Sequence, residues 1–590
     1  MPQSELSKAL HSRPFQMKGA RFAMEHKRVL IADEPGLGKT IQAIAAVIGS
    51  KTTGSVLIVA PKTAAYVTWP AELARWLSDI SPDDPVHVIG GEITKLDRLR
   101  ILQAIFKWDT ENDPYTRSPM AMPSRQWIIV SPNYLRFKYK LNAKDKFVYD
   151  SAGDKIIIPV REAIVPLLGI EYAAIIIDEA HQTLAGSRGD VKTMSAQSRG
   201  LRMLDVRDDG LRIALTGTPF RGKHENLWGI ANWLKPEEYT GYWPWVMRYF
   251  QVYHDPVFKQ DIIGKLRSER ELAKDARSFM IRRTKKKVLP ELPEKQYGGT
   301  PLWPKKKPPQ ELHDAVAKYA KAIVGNPKDV HAKQSHERAC ASVAAWYDKH
   351  NPIAVWLPMD GKQAKAYLQM KREAQADIEN GTLLANSVLA EMTRLKQFAN
   401  SYGLLDSNGD FQPQFPSNKF DWLLQFFKER GIDDPEPSGS RVVVASQFTR
   451  HINLFAAELR ERHKINCYVL TGATSAQQRV QIQREFQSGK TDKGGPSAEV
   501  LLMNTKAGGT AITLDAADEM VVIDATHNVD DQVQLEDRIH RISRLHNVTI
   551  YNLASKGTID QQILRATRKM GRSLKRILDT PDKALALLDS

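Results

Sequence analysis

Short unbroken apolar runs recur along the first part of the chain, at residues 29–32, 56–59, 127–130, 175–177 and 213–215. Runs of this length without polar alternation are what strands buried on both faces look like, and they predict one parallel sheet. After the first run, Ile41, Ile44, Ala45 and Ile48 fall at helical spacing, which predicts a strand, a glycine-containing turn and a helix in succession. A second set of runs, at residues 442–445, 500–503, 520–523 and 548–551, alternates with helical stretches and predicts a second α/β lobe. From about residue 300 to 415 the chain is rich in Lys, Gln, Ala and Glu and shows no buried-strand run, so a mostly helical insertion with a linker is expected there. Phe147, Val148 and Tyr149, then Ser151-Ala152-Gly153-Asp154, then Ile156, Ile157 and Ile158 read as a hairpin over residues 146–159, inserted in the first lobe.

The chemistry-bearing residues sit at the ends of these predicted strands. Asp33-Glu34-Pro35-Gly36-Leu37-Gly38-Lys39-Thr40 occupies the first strand-to-helix turn. Gly36 and Gly38 leave backbone amides free to wrap phosphates, Lys39 adds a cation, and the Thr40 hydroxyl reaches magnesium. Asp178-Glu179-Ala180-His181 follows the 175–177 run directly, which places the acids at the carboxyl end of a core strand, where open α/β sheets bind ligands. Asp178 is expected to hold magnesium and Glu179 to polarise the attacking water, which reads as an NTP-hydrolysing core with Mg2+. The bland alternatives are a turn that binds nothing and an acid pair capping a helix. In the second lobe, Gln534-Leu535-Glu536-Asp537-Arg538-Ile539-His540-Arg541 spaces two arginines at i and i+3, hence on one predicted helical face. They are candidates for arginine fingers that couple hydrolysis to lobe closure; in an arbitrary helix such arginines form solvated salt bridges.

Composition narrows the partner. A formal charge of +16 over 590 residues points to a polyanion, because cations that neutralise phosphates release condensed counterions. Two cysteines and no His/Cys cluster at ligand spacing argue for a reducing compartment without structural zinc. The chain has no apolar run of membrane-spanning length, and Met1-Pro2-Gln3-Ser4-Glu5 lacks the pattern of a signal peptide, so membrane insertion and secretion are disfavoured. Arg565, Arg568, Lys569, Arg572, Lys575 and Arg576 share one face of a predicted C-terminal helix, opposite Ile563, Met570, Leu574 and Ile577. That stripe, and the cluster Arg282, Arg283, Lys285, Lys286 and Lys287, either brace a duplex or are solvated faces. The twelve tryptophans are read as packing residues.

With these motifs in order, the chain resembles the SWI/SNF-like ATPases of helicase superfamily 2. Arg13-Pro14-Phe15-Gln16 looks like that family's adenine-reading segment. Ala60-Pro61-Lys62 and Ser131-Pro132-Asn133-Tyr134 look like its first-lobe DNA contacts, and Leu215-Thr216-Gly217-Thr218-Pro219 like its coupling motif. Phe279-Met280-Ile281-Arg282-Arg283-Thr284-Lys285, running on to Leu292-Pro293-Glu294-Lys295, resembles its signature after lobe one. Val444-Ala445-Ser446-Gln447-Phe448, Leu470-Thr471-Gly472 and Asn504-Thr505-Lys506-Ala507-Gly508-Gly509-Thr510 are similar to its second half. The opening block with Phe22-Ala23-Met24 is similar to the annealing-helicase and fork-remodelling branch. Asp33 stands where the common phosphate-loop pattern has Gly, as in one branch of helicases. Three other positions depart from the family pattern: Pro35 for a customary methionine, His527-Asn528-Val529 for aromatic-Asn-Pro, and Ser543-Arg544 for Gly-Gln.

The resemblance implies an α/β fold of two RecA-like parallel-sheet lobes. Its expected parts are an ATP-binding lobe over residues 1–240, a helical insertion and linker over 241–415, a C-terminal lobe over 416–564 and a basic amphipathic helix over 565–590. It implies a nucleotide site of Arg13, Gln16, Asp33, Glu34, Gly36, Leu37, Gly38, Lys39, Thr40 and Gln534, with catalytic Lys39, Asp178, Glu179, Arg538 and Arg541. Lys62, Ser131, Asn133, Ser446, Thr505 and Gly509 are the inferred DNA contacts. The activity implied is ATP-dependent translocation on double-stranded or branched DNA by a monomer; the alternative is a strand-separating DNA or RNA helicase. The expected setting is the cytoplasm or nucleoid of a prokaryote or virus-infected cell, or the nucleus of a eukaryote.

Overall fold

A computed structural model describes residues 4–90, 93–111, 125–140, 142, 148–149, 151, 156–160, 165–184, 194–220, 223–255, 260–301, 309–325, 329, 331–332, 335–336, 338–339, 342–343, 353–359, 361–379, 385–408, 410–434, 436–505, 512–541, 544 and 546–568. The described residues fall into two compact α/β units, the first built mainly from Met1–Leu292 and the second from Pro293–Gly508 with Thr513–Gly571.

The first unit carries a 7-stranded sheet. In spatial order its strands are Met280–Ile281, Arg28–Ile31, Asp205–Leu215, Glu171–Asp178, Gly54–Val59, Arg125–Val130 and Val86–Ile89, all parallel. Gly54–Val59 and Arg125–Val130 are buried at every position, as their unbroken apolar sequences require. The helix Lys39–Gly49 covers one face with Ile41, Ala43, Ile44 and Val47, and Trp69, Leu73 and Trp76 pack in the same core. Register makes this sheet a functional scaffold. Ile31 pairs with both Ile281 and Leu215, Leu215 with Asp178, Ile177 with Val59, and Val59 with Val130. These pairings, stepping by one residue between Asp178 and Ile177, end at the phosphate loop and at Thr216, Glu179, Ala60 and Ser131, and the parallel pairing puts all of these at the same edge.

The second unit carries an 8-stranded sheet. Its main path runs Thr300–Pro301, Ile353–Leu357, Val548–Ser555, Glu519–Val522, Val442–Ser446, Val500–Asn504 and Cys467–Leu470, with Lys295–Gly298 also pairing to Val548–Ser555. All pairings but that of Thr300–Pro301 are parallel. Phe420, Phe427, Ile452, Phe455 and Leu459 fill one face. Among the described residues, no helix is long and apolar enough to cross a membrane.

Three expectations change. The boundary after the first lobe falls at 292/293 rather than 240, because Met280–Ile281 edges the first sheet whereas Lys295–Gly298 joins the second. The 300–415 stretch is not purely helical. Alongside the helices Gln310–Gly325, Gly361–Glu379 and Ala385–Asn400 it holds the strand Ile353–Leu357 and an antiparallel hairpin, Tyr402–Leu405 with Phe411–Gln414. Ile353-Ala354-Val355-Trp356-Leu357 is β-prone but brief, and its pairing with Val548–Ser555 is what makes it a strand. In the hairpin region, Ile157–Pro159 pairs with Phe137–Tyr139, and Val148 bonds Lys140 and Ile156; residues 143–147 and 152–155 lie outside the described residues. The basic stripe beyond Arg568 is likewise outside them.

A buried cation ties the insertion to the second sheet. Lys419 Nζ donates to Asn400 Oδ1 at 2.8 Å, the Ile523 carbonyl at 2.7 Å and Asp560 Oδ2 at 2.8 Å, with no solvent exposure. Lys419→Met leaves Asp560 buried without its counter-charge and is expected to cost about 3–5 kcal/mol, read as a lowered urea midpoint. Lys419→Met with Asp560→Leu should recover most of the loss, since removing both charges removes the unpaired one.

Candidate nucleotide site and DNA-contact edge

In the first unit the chain leaves Arg28–Ile31 and turns through Gly36 (φ 88°) and Gly38 (φ 74°) into the helix Lys39–Gly49. Both angles are in the left-handed region that glycine enters without strain, so these two residues let the backbone curl at the helix start. The positive end of the helix and the amides there favour an anion. Thr40 lies in the first helical turn, and Lys39 Nζ rests on the Asp33 carbonyl at 3.0 Å. Burial pulls the Lys39 ammonium below its ordinary pKa, opposed by Glu179, Asp33 and Asp178.

Asp33 and Glu34, expected around the nucleotide, have their carboxylates turned to the protein instead. Asp33 is fully buried; its Oδ1 accepts from Arg283 N and Nε, both at 2.9 Å, and its Oδ2 from Arg283 Nη2 and from Gln42 Nε2 at 3.0 Å. Arg283 Nη2 also reaches Gln42 Oε1 at 2.7 Å, and Nη1 the Phe15 carbonyl. Glu34 Oε2 accepts from Lys285 N at 2.6 Å. Arg282 Nη1 caps the Ala32 carbonyl at 2.7 Å and the Gly217 carbonyl at 3.0 Å. The basic segment after Met280–Ile281 thus neither faces a duplex with Arg282 and Arg283 nor is simply solvated: these arginines brace the phosphate loop. Gln16, nearly buried, donates from Nε2 to the Leu37 carbonyl at 3.1 Å and so lies against the loop. The Leu37 side chain is buried and its amide donates to the Glu34 carbonyl at 3.3 Å, while Arg13 is exposed at the start of the helix Pro14–His26.

Two strands along, Asp178 ends Glu171–Asp178. Its Oδ1 accepts from Glu179 N and its Oδ2 from the Trp69 indole, each at 3.0 Å. Burial, and then the neighbouring Glu179, push the Asp178 carboxyl up to about 6, against the Trp69 hydrogen bond and Lys39. Glu179 sits at φ 48°, ψ 48°, a conformation costly for a side-chain-bearing residue and concentrated at functional sites. His181 Nδ1 lies 3.3 Å from Glu179 Oε2 and 2.7 Å from Thr216 Oγ1, so the acid pair is linked to the threonines ending the strand between it and the phosphate loop. Among the described residues, no cluster of three or more His, Cys, Asp or Glu forms a metal cage. Mg2+ needs none, since one or two protein oxygens and the substrate's phosphates satisfy it; the Thr40 hydroxyl and the charge-crowded Asp178 carboxylate suit that role.

Of the inferred DNA contacts at this edge, Lys62 and Asn133 are exposed, with Asn133 Oδ1 accepting from Gln197 Nε2 at 2.8 Å. Ser131 is buried and accepts from the Tyr66 hydroxyl at 3.3 Å.

In the second unit Ser446 is corrected to an interior residue: fully buried, it donates to Asp524 Oδ2 at 2.6 Å, so its hydroxyl is taken. Thr505 is half-buried, bonded through its amide to the Ser446 carbonyl; Gly509 lies outside the described residues. Gln534 is half-buried on the helix Val529–Glu536. That helix stops at Glu536, so Arg538 and Arg541 do not share a helical face as expected; they occupy the turns beyond, where Arg538 N bonds the Leu535 carbonyl and His540 N that of Glu536. These turns are pinned by Lys295, whose Nζ is 2.8 Å from Asp537 Oδ1 and 3.3 Å from Glu536 Oε2, with the Tyr297 hydroxyl on Glu536 Oε2 at 2.9 Å. The sequence patterns missed Gln42, Tyr66, Trp69 and the bracing role of Arg282 and Arg283. Only the position of the arginine pair next to a family signature marked any of these.

Gly217 has a testable consequence for this site. A Cβ there would stand 2.7 Å from Pro35 Cδ and 2.8 Å from its Cγ. Gly217→Ala should displace the phosphate loop and weaken binding of a fluorescent ATP analogue by about tenfold, within the usual range for overpacking. Pro35→Ala in the same chain should restore part of the affinity, because it removes the atoms that clash.

Comparisons with known proteins give the family. Residues 15–302 match the SNF2-related domain and residues 418–543 the helicase conserved C-terminal domain. A SWI/SNF-related matrix-associated actin-dependent regulator of chromatin, subfamily A containing DEAD/H box 1, from Xenopus tropicalis is 26% identical over 99% of this chain and 52% of its own. The ISWI chromatin-remodeling complex ATPase ISW1 of Saccharomyces cerevisiae is 24% identical over 95% of this chain and 40% of its own. The chain spans about half the length, or less, of these curated relatives. A solved Sulfolobus solfataricus SWI2/SNF2 ATPase core in complex with dsDNA aligns over 97% of each chain at 18% identity, with a TM-score of 0.34. The two matched domains, in this order and containing the phosphate loop, the acid pair and the arginine turns, show that the chain belongs to the SWI/SNF-like DNA-dependent ATPases of helicase superfamily 2.

Proposed function

We propose that the chain is an ATP-driven translocase on double-stranded DNA that remodels protein–DNA complexes or branched DNA. The observation that carries this reading is the single sheet edge of the first unit, where the phosphate loop, Thr216, Asp178, Lys62 and Ser131 all lie at the carboxyl ends of paired parallel strands. Amides of residues 36–40 and Lys39 hold the phosphates, Thr40 and Asp178 hold Mg2+, and Glu179 takes the proton of the attacking water. Bound Mg2+ neutralises charge developing on the phosphates. Gln16 and Arg13 are proposed for the adenine, and Gln534, Arg538 and Arg541 as the second unit's contribution to hydrolysis. Lys62, Asn133 and Thr505 are proposed to meet phosphates of DNA, which is sequence-independent recognition. The names of the relatives, regulators of chromatin and a chromatin-remodeling ATPase, support action on DNA carrying bound proteins.

ATP turnover with and without duplex DNA tests this. Duplex should stimulate the native chain, Glu179→Gln should lose about a hundredfold to ten-thousandfold, and Arg541→Ala about a thousandfold. Displacement of a triplex-forming strand, without unwinding of a partial duplex, is the translocase outcome; efficient unwinding would make the chain a strand-separating helicase. Stimulation should fall steeply between low and moderate salt. Unchanged turnover on adding duplex would remove the motor reading.

A further inference from the structure

Between the DNA-contact edge and the acid pair lies one unusual turn of helix. It follows Ala60-Pro61-Lys62, at the end of the strand Gly54–Val59, whose neighbours in the sheet are Arg125–Val130 on one side and Glu171–Asp178 on the other. Residues Ala64–Thr68 form a π-turn, with Trp69 N bonded to the Ala64 carbonyl, and continue directly into the helix Trp69–Leu77. Pro70 has no N–H to give the Tyr66 carbonyl, which accounts for a local departure from the regular helical ladder. Wide turns of this kind are rare and cluster at functional sites.

The wide turn changes where two aromatic residues reach. In a regular helix Tyr66 and Trp69, at i and i+3, would share a face. A wider turn rotates less per residue and splays them. Tyr66 reaches toward one flanking strand and donates to Ser131 Oγ at 3.3 Å; Trp69 reaches toward the other and donates to Asp178 Oδ2 at 3.0 Å. Room for the Tyr66 hydroxyl comes from Gly90, at φ +128°, where a Cβ would collide with it. Trp69 is completely buried, so its indole N–H has to keep an acceptor, and its hold on Oδ2 together with the Glu179 amide on Oδ1 fixes the rotation of the carboxylate.

We propose that this turn is a relay. Tyr66 holds buried Ser131, two residues before the exposed Asn133 proposed to meet DNA, and Trp69 positions the Asp178 carboxylate, so that bound duplex sets how readily the nucleotide site takes up Mg2+. The proposal rests on the function proposed above, and it makes Trp69 and Tyr66 positioning residues that touch neither nucleotide nor DNA.

The test measures binding rather than turnover, in a Glu179→Gln chain. The Mg2+ concentration giving half-maximal binding of a fluorescent ATP analogue is determined with and without duplex DNA, and duplex binding is followed separately by anisotropy. Duplex should lower the Mg2+ requirement of the parent. Trp69→Phe should raise it on the order of tenfold whether or not DNA is present, the size expected when a hydrogen bond to a charged group is lost. Trp69→His, which returns a ring N–H, should recover part of this. Tyr66→Phe, which removes one hydroxyl, should abolish the lowering by DNA. A parent-like Mg2+ requirement in Trp69→Phe, or a full DNA effect in Tyr66→Phe, overturns the relay. If Trp69→Phe folds poorly, Tyr66→Phe alone decides. Absence of duplex binding by the parent is instead a failure of the proposed function, and the Trp69 arm without DNA still decides the carboxylate half.

Discussion

Parallel pairing with both faces buried is the constraint on which the first unit depends. A strand covered on both sides cannot slip without moving apolar groups against polar ones and breaking a ladder of backbone bonds. The pairings of Ile31, Leu215, Asp178, Val59 and Val130 are therefore fixed to the residue, and so is the point at which each strand hands the chain to a loop. Chemistry that needs a phosphate cradle, an acid pair and a polymer contact in mutual reach obtains them from sheet register before any loop adopts its own conformation. The second sheet repeats the device with Ser446 and Asn504 ending their strands and Thr471 and Asp524 just beyond theirs, but uses the polar groups differently. Ser446 and the Gln447 amide spend their donors on Asp524 at 2.6 and 2.8 Å, which makes that edge an internally satisfied network.

Loops at such an edge still have to be held, and here the holding groups come from the far end of the first unit's chain. Arg283 saturates both oxygens of Asp33, while Arg282 joins Ala32 to Gly217. A buried aspartate is tolerable only with such pairing, because an unpartnered carboxylate there would be strongly destabilising. That gives a physical reason for an acidic residue at a position where a generic phosphate loop has glycine: the carboxylate is the anchor for the arginine segment rather than a group facing phosphate. Pro35 fits the same picture. Its ring packs where Gly217 lacks a side chain, so the stiffened loop rests on the coupling motif.

What was legible in the sequence follows from these two layers. Strands buried on both faces announce themselves as unbroken apolar runs, and residues 29–32, 56–59, 127–130, 175–177 and 213–215 all lie on or against observed strands. Val86–Ile89 was not legible, because an edge strand can carry a histidine and expose its first residue. Met280–Ile281 is too short for any period, and Ile353–Leu357 is made a strand by a partner almost two hundred residues away in sequence. In the site, glycines and the Asp-Glu pair were readable since their chemistry requires those residue types at those spacings. The contacts of Trp69, Tyr66, Gln42 and Arg283 were not, because each depends on which strands lie side by side. Arg538 and Arg541 show the opposite error. Their spacing suits a helix, yet Glu536 and Asp537 are drawn to Lys295 and the helix ends before them.

That last arrangement bears on how a two-unit ATPase can be organised. Lys295 lies just beyond Leu292, where the first unit's chain ends, and it is carried into the second sheet by Lys295–Gly298 pairing with Val548–Ser555. Burial alone would lower its pKa, but the Asp537 and Glu536 carboxylates outweigh this and hold the ammonium above its ordinary range. The Tyr297 hydroxyl on Glu536 and His540 Nε2, 2.7 Å from the Pro293 carbonyl, add two more fastenings beside Arg538 and Arg541. The segment that follows the first unit's last signature is thus bonded to the turns that present the second unit's arginines.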